Sequence, residues 1–178
     1  MDKLIDRVII RQEAVGDCAN VYRLTKDAFE QAEHSDGDEQ ELVETLRNRA
    51  EHIPELSLVA VLDGEVVGHI MFSQISVGEH TALCLGPISV LPKLQRQGIG
   101  GALIERGHQV AHGLGFNLCL LVGHAEYYPC FGYERADLHG ITFPYEAPAE
   151  CKMVKFLTER GREVKGVAVF PVEFAPQC

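Results

Sequence analysis

Apolar and polar positions alternate with a strand's period in some stretches of this chain and recur every three to four residues in others. RVIIRQE (7–13) reads as an opening strand. Asp17 is placed to cap the helix that follows, whose apolar positions Val21, Leu24 and Phe29 keep helical spacing. A second helix follows the break at Gly37 with Leu42, Val43 and Leu46 on one face, and Pro54 is expected to close off whatever extends beyond it. Strands then take over. LSLVAVL (56–62), the Asp63-Gly64 turn and EVVGHIMFSQISV (65–77) form the plainest hairpin in the chain, because Asp-Gly accepts the backbone that a two-residue connection needs. TALCLGPISVL (81–91) is a third strand, interrupted at Gly86-Pro87 by a bulge or a splayed ladder.

After Pro92, KLQRQGIGG leads into a helix with Ile99, Leu103, Val110, Ala111 and Leu114 along one side, ended by Gly113 and Gly115. NLCLLV (117–122) is almost continuously apolar, as in a strand covered on both faces. AEYYPCF reads as a short aromatic helix broken by Gly132, and the tail adds strand-like pieces at CKMVKF (151–156) and GVAVFPVEF (166–174). No repeat or linker divides the chain, so one domain over 1–178 is expected, with 7–135 as core and 136–178 completing or extending the sheet.

Composition narrows the function classes. With 46% hydrophobic and 24% charged residues the chain can fill a core without staples. Its longest apolar runs, 58–62 and 118–122, are strand-length, far below the roughly 18 residues a bilayer helix needs. Asp2, Lys3, Asp6 and Arg7 fall where a signal peptide would be apolar, so a cytoplasmic protein with no membrane contact is expected. Six cysteines without a C-x-x-C suggest neither a disulfide framework nor a metal site. A net charge of −10 argues against nucleic acid as a partner. Ten carboxylates between Asp27 and Glu55 face only Arg47 and Arg49; a solvated helical face is the plain account, and a field drawing cationic substrates such as amines is the sharper one.

Gln95-Arg96-Gln97-Gly98-Ile99-Gly100 joins a strand to a helix, so its backbone N–H groups are the unpaired donors of a helix N-terminus, a geometry that binds anions. A side chain at Gly98 or Gly100 would hold a pyrophosphate away from the backbone. This is no P-loop, lacking Gly-Lys-Ser/Thr, and Leu103 stands where a dinucleotide fingerprint has its third glycine. Other groupings carry less. His124 and Glu126 with Pro129-Cys130 look like part of a zinc deaminase signature, but Tyr133 replaces the second cysteine. His108 and His112 fit a solvated helix face better than a metal site, and Cys84 with His69 reads as a core cysteine and a strand histidine rather than nucleophile and base.

The bulged strand Ile88-Ser89-Val90, Pro92, a Q-x-x-G-x-G segment opening a helix, a buried strand, and a tyrosine four residues before Gly-aromatic together resemble the GNAT superfamily of acyl-CoA-dependent N-acyltransferases. GPISVLPKLQRQGIGGAL (86–103) is similar to that family's acyl-CoA signature, and VGHAEYYPCFGY (122–133) to its fourth-helix motif, particularly in the YhbS-like bacterial branch. The order of elements over 7–135 is similar too.

The resemblance implies an α/β fold: a twisted, mixed but mostly antiparallel central sheet flanked by helices and splayed where acyl-CoA binds. It implies that Ile88, Ser89 and Val90 offer backbone groups to the pantetheine arm, and that Gln95, Arg96, Gln97, Gly98, Ile99 and Gly100, with Gly101 and Ala102, hold the pyrophosphate. It implies that Tyr128 protonates the departing thiolate, with Tyr127 a packed aromatic. The common Q-G-R-G arrangement is here Gln95-Arg96-Gln97-Gly98, with the basic side chain shifted by one. The implied reaction is transfer of acetyl from acetyl-CoA directly to a primary amine of a small molecule or protein, without a metal; a non-catalytic acyl-CoA-binding sensor or partner-binding module is the alternative. The general base stays open among Glu33, Glu126 and a water relay, with His69, Ser73 and Cys84 available to line the site. In this superfamily late strands pair within one chain or between two, so a homodimer stays open as well.

Overall fold

In the computed structural model, which describes residues 3–30, 32–33 and 35–174, the Asp63-Gly64 turn closes a long hairpin between β2 (His52–Leu62) and β3 (Glu65–Val77). Both turn residues take positive φ, 51° and 85°, as a two-residue connection between twisted strands requires. β1 (Ile9–Gln12) pairs with β2 and β4 (His80–Val90) with β3, all antiparallel, and β4 then pairs in parallel with β5 (Leu118–Val122). β8 (Lys152–Phe156) and the two-residue β6 (Glu134–Arg135) follow, so the order across the sheet is β1-β2-β3-β4-β5-β8-β6. β7 (Ile141–Thr142) pairs in parallel with β9 (Gly166–Val169), which also lies along the end of β3 at Ser76 and Val77. The expected mixed, mostly antiparallel sheet is present, and these tail strands pair within the chain.

Helices cover both faces. α1 (Cys18–Phe29) and α2 (Glu39–Arg47) bury Val21, Val43 and Leu46 against Val59, Met71 and Ile75, while α3 (Ile99–Gly113) buries Leu103 and Ile104 against Leu58, Ile70 and Phe72. Successive residues of β3 point to opposite faces, so a sheet covered twice turns alternation into a nearly unbroken apolar run.

Several local expectations are corrected. Pro54 lies inside β2, where the register against β3 slips between His52 and Ser57 and a missing N–H is tolerated. AEYYPCF forms a 3-10 turn at Tyr128–Phe131, and GVAVFPVEF leaves the strand at Val169. The Asp17 carboxylate accepts from Arg11 at 2.6 and 3.0 Å and from the Ala14 N–H at 2.8 Å, so it is spent on the β1–α1 connection instead of capping α1. His108 is buried, not solvated: Gly107 lets Phe72 press against α3, and the buried stripe rolls round to include the imidazole, whose Nε2 lies 2.9 Å from Tyr133 Oη. Leu114 is correspondingly half exposed. The five described cysteines are free; Cys178 lies outside the described residues.

Candidate functional site

Ile70 faces Ile88 but Phe72 faces Leu85, so β4 spends one residue more than β3 over this interval and bulges at Gly86-Pro87. On its other side β4 meets β5 only through Leu83 with Cys119 and Cys84 with Leu120. Beyond those pairs the strands part, and among the described residues no strand pairs with 86–90 on that side. An extended strand is left with ladder groups unclaimed. One of its carbonyls, that of Val90, accepts a 3.1 Å hydrogen bond from Gln95 Nε2.

The loop after this strand turns sharply into α3. Arg96 has φ +60°, and Gly98, the N-cap, has φ +91°, where an L side chain is strained. The Ala102 N–H closes the first helical bond, to Gly98 O at 3.0 Å, so the amides of Ile99, Gly100 and Gly101 stand ahead of the helical ladder. Ile99 is buried and offers the loop only its backbone, Gln97 Nε2 donates to the Lys93 carbonyl at 3.3 Å, and the Gln95 N–H donates to Pro92 O, also at 3.3 Å. Arg96 is exposed.

The glycines serve a contact that spacing did not reveal. A Cβ on Gly100 would lie 3.1 Å from Tyr127 Oη and 3.9 Å from side-chain atoms of Ile88 and Val90; one on Gly101 would lie 3.2 Å from the Phe131 ring. The aromatic turn therefore seats on the glycine face of α3, beside the parted strands. Tyr127 and Tyr128 meet edge-on at 5.1 Å between centroids, and Tyr128 meets Tyr133 at 5.8 Å. Tyr128 is 9% exposed and belongs to the core cluster of Leu83, Leu85, Val90 and Leu121, whereas Tyr127 is 41% exposed. Burial, with smaller contributions from Tyr127 and Cys84, pushes the Tyr128 phenol far above its ordinary range, so it keeps its proton.

The remaining candidates separate. Glu33 and Glu126 are exposed. Cys84 is buried and its thiol is pushed well up by desolvation, which leaves it unreactive; the Ser73 hydroxyl is buried with no hydrogen-bond partner among the described residues. His69 Nε2 lies 3.0 Å from Ser57 Oγ. That contact belongs to a buried ionic group that sequence reasoning missed. Glu13, its side chain 5% exposed, accepts from Arg47 Nη2 and from Ser57 Oγ, each at 2.5 Å, and lies 3.7 Å from His69 Nε2. Desolvation raises the Glu13 carboxyl, but the proximity of His69 and the bonds from Ser57 and Arg47 outweigh it and hold it down to about 2. Positions 13, 47, 57 and 69 come from separate parts of the chain, and no spacing connects them. Across the β3–β4 ladder His69 stands opposite Ser89, whose Oγ meets Thr25 Oγ1 at 3.2 Å.

A cleft of about 870 Å³ lies between the end of α1, with Asp27 and Glu30, and the segment running from Ile88 to Lys93. Among the described residues no group of three His, Cys, Asp or Glu is placed to hold a metal, and no helix is long and apolar enough to cross a membrane.

Comparison with known proteins agrees with this geometry. Residues 18–128 match the acetyltransferase (GNAT) family. The uncharacterized N-acetyltransferase YjhQ of Escherichia coli K12 is 35% identical over 136 residues, covering 72% of this chain and 75% of that protein. The crystal structure of a GNAT family acetyltransferase from Brucella melitensis in complex with acetyl-CoA is 33% identical with a TM-score of 0.77, covering 94% of this chain and 97% of the other. That of Escherichia coli YhbS in complex with CoA is 25% identical with a TM-score of 0.87, covering 97% and 95%.

Proposed function

Because the chain belongs to the acetyltransferase (GNAT) family, whose members are acyl-CoA-dependent N-acetyltransferases, we propose that it moves an acetyl group from acetyl-CoA directly to a primary amine with the residues described above. The observation that carries this reading is the parting of β4 from β5 next to a helix start with free amides. The residues fit the donor. Ile88, Ser89 and Val90 present an unpaired strand edge to the amide-bearing pantetheine arm, as an added strand would use it. The loop from Gln95 to Gly100, continued by Gly101, presents amides to the pyrophosphate; Ala102, its own amide spent on the helix, shapes the wall, and Arg96 supplies the cation.

In the proposed reaction a neutral amine nitrogen attacks the thioester carbonyl carbon. The C–N bond forms as the carbonyl electron pair moves onto oxygen, where backbone N–H groups near Val90 stabilise it. Collapse of this intermediate breaks the C–S bond, and the Tyr128 hydroxyl gives its proton to the leaving sulfur. The nitrogen still carries both protons of the amine; it gives one to the phenolate, which restores the phenol, and keeps the other as the amide N–H. The acceptor is a cationic amine before it loses its first proton to solvent, since Asp27 and Glu30 line the cleft that opens beside Ser89.

Calorimetric titration with acetyl-CoA, CoA and NADH tests the reading. Binding of both acetyl-CoA and CoA but not NADH supports it and justifies a screen of amines read out by free thiol release. Absence of binding at millimolar ligand removes it. Binding without turnover across amines would favour an acyl-CoA sensor.

A further inference from the structure

Tyr127 has no role in the reaction as proposed, yet its hydroxyl occupies a defined place. Oη sits against the first turn of α3, 3.1 Å from where a Cβ on Gly100 would be, and the side chains of Ile88 and Val90 flank the same point. The ring is held on two sides, by Tyr128 at 5.1 Å and by Phe131 at 5.2 Å, and Phe131 is itself seated on Gly101. A tyrosine placed only for packing gains nothing from a hydroxyl at this spot. No hydrogen bond engages Oη among the described residues, and the side chain is 41% exposed, so the group is both available and prearranged. In the same helical turn the amides of Gly100 and Gly101 have no acceptor among the described residues, so an occupant of this turn is favoured to be an acceptor and not another donor.

We propose that Tyr127 is a binding residue for the acyl donor, its hydroxyl donating a hydrogen bond to a pyrophosphate oxygen at the first turn of α3; this rests on the acyl-CoA reading above. The adjacent tyrosines thereby divide the work: Tyr127 holds the phosphates and Tyr128 serves the sulfur. Two neighbours in one tight turn point in different directions, so both tasks need both residues. Burial raises the Tyr127 phenol somewhat, which keeps it a proton donor at neutral pH.

CoA affinity and the phosphorus resonances of bound CoA, measured for the wild type, Tyr127→Phe and Tyr128→Phe, test this. Tyr127→Phe removes no protein hydrogen bond and leaves the ring contacts in place, so the fold survives it. The expected result is about tenfold weaker CoA binding for Tyr127→Phe, the scale of a lost hydrogen bond to a charged group, with Tyr128→Phe within about twofold of the wild type. The pyrophosphate resonances of bound CoA should shift in Tyr127→Phe alone. Unchanged or tighter binding by Tyr127→Phe, or unmoved resonances, overturns the assignment, as does an equal loss in Tyr128→Phe. A wild type that binds no CoA removes the acyl-CoA reading itself, an outcome distinct from any difference between variants.

Discussion

His108 and Tyr133 are joined in the interior by a 2.9 Å hydrogen bond between Nε2 and Oη, and Tyr133 passes its own proton on toward Cys119 Sγ at 3.4 Å. One direction satisfies both bonds: the imidazole N–H donates to the phenol oxygen and the phenol O–H to sulfur. With the Nε2 proton engaged in this way, any second proton would go to Nδ1; burial, aided by Lys155, disfavours that charge and lowers the imidazole to about 4. The unfolded chain therefore takes up a proton below pH 6.5 that the folded chain refuses until about pH 4. Stability should fall by about 3 kcal/mol as pH drops through that window, and no further from this residue below it. Urea midpoints measured from pH 7.5 to 3 should show the decline, and His108→Gln, which keeps a donor but does not titrate, should flatten it.

Glu13 adds a lower step. Its carboxyl, ordinarily near 4.5, is held at about 2, so its contribution is complete above pH 4.5 and drains away as pH falls toward 2. Glu13→Gln should erase this acid limb and destabilise the protein at pH 7 by roughly 3 kcal/mol, because Arg47 and His69 lose the charge they face. A neutral-pH stability equal to wild type would show that the buried group contributes nothing net.

Tyr128→Phe should lower kcat about 10²-fold with an amine acceptor identified by the thiol-release screen. The ring's edge-on contacts with Tyr127 and Tyr133 do not involve the hydroxyl, so the melting temperature should barely move. An unchanged kcat would mean that the leaving sulfur finds its proton elsewhere.

Gly98→Asp should abolish CoA binding, with Kd rising about 10²-fold or more. The new side chain must adopt φ near +91° and brings a negative charge to the proposed pyrophosphate site. Calorimetry decides it, and wild-type affinity would place the phosphates elsewhere.

Gly107→Ala tests the packing of α3. Its Cβ would fall 2.3 Å from the fully buried Phe72 ring, so ring and helix must move apart. A loss of about 2 kcal/mol, or roughly 4–8 °C in Tm, is the expected scale of such overpacking. A calorimetric scan matching the wild type would show that the ring relocates freely.

The periods of the chain made most of the architecture legible, because each strand and helix carries its own pattern locally. Gly86-Pro87 marked the bulge for a similar reason: proline cannot donate to a ladder, so the interruption is written into the residue itself. Side-chain partnerships were less visible. Asp17 had the right identity for a cap but spent its carboxylate on Arg11, and His108 was misplaced because Gly107 and Phe72, distant in sequence, set the roll of α3. The Glu13 group needs three-dimensional assembly before it exists at all. The neighbouring tyrosines show the same limit, since spacing separates their directions but does not say that one of them lands on Gly100.

A sheet that stops pairing partway is an unfinished piece of folding. Amide hydrogens of β4 beyond Cys84 that point into the gap have no strand partner among the described residues, so they should exchange faster than those turned toward β3. Any molecule lying in the gap completes the ladder and binds only the folded chain, which couples occupancy to thermal endurance. The protein then reports its own ligand: a compound that fills the gap slows exchange at Ile88 and Val90 and raises the melting point together, whether or not a single acetyl group is transferred.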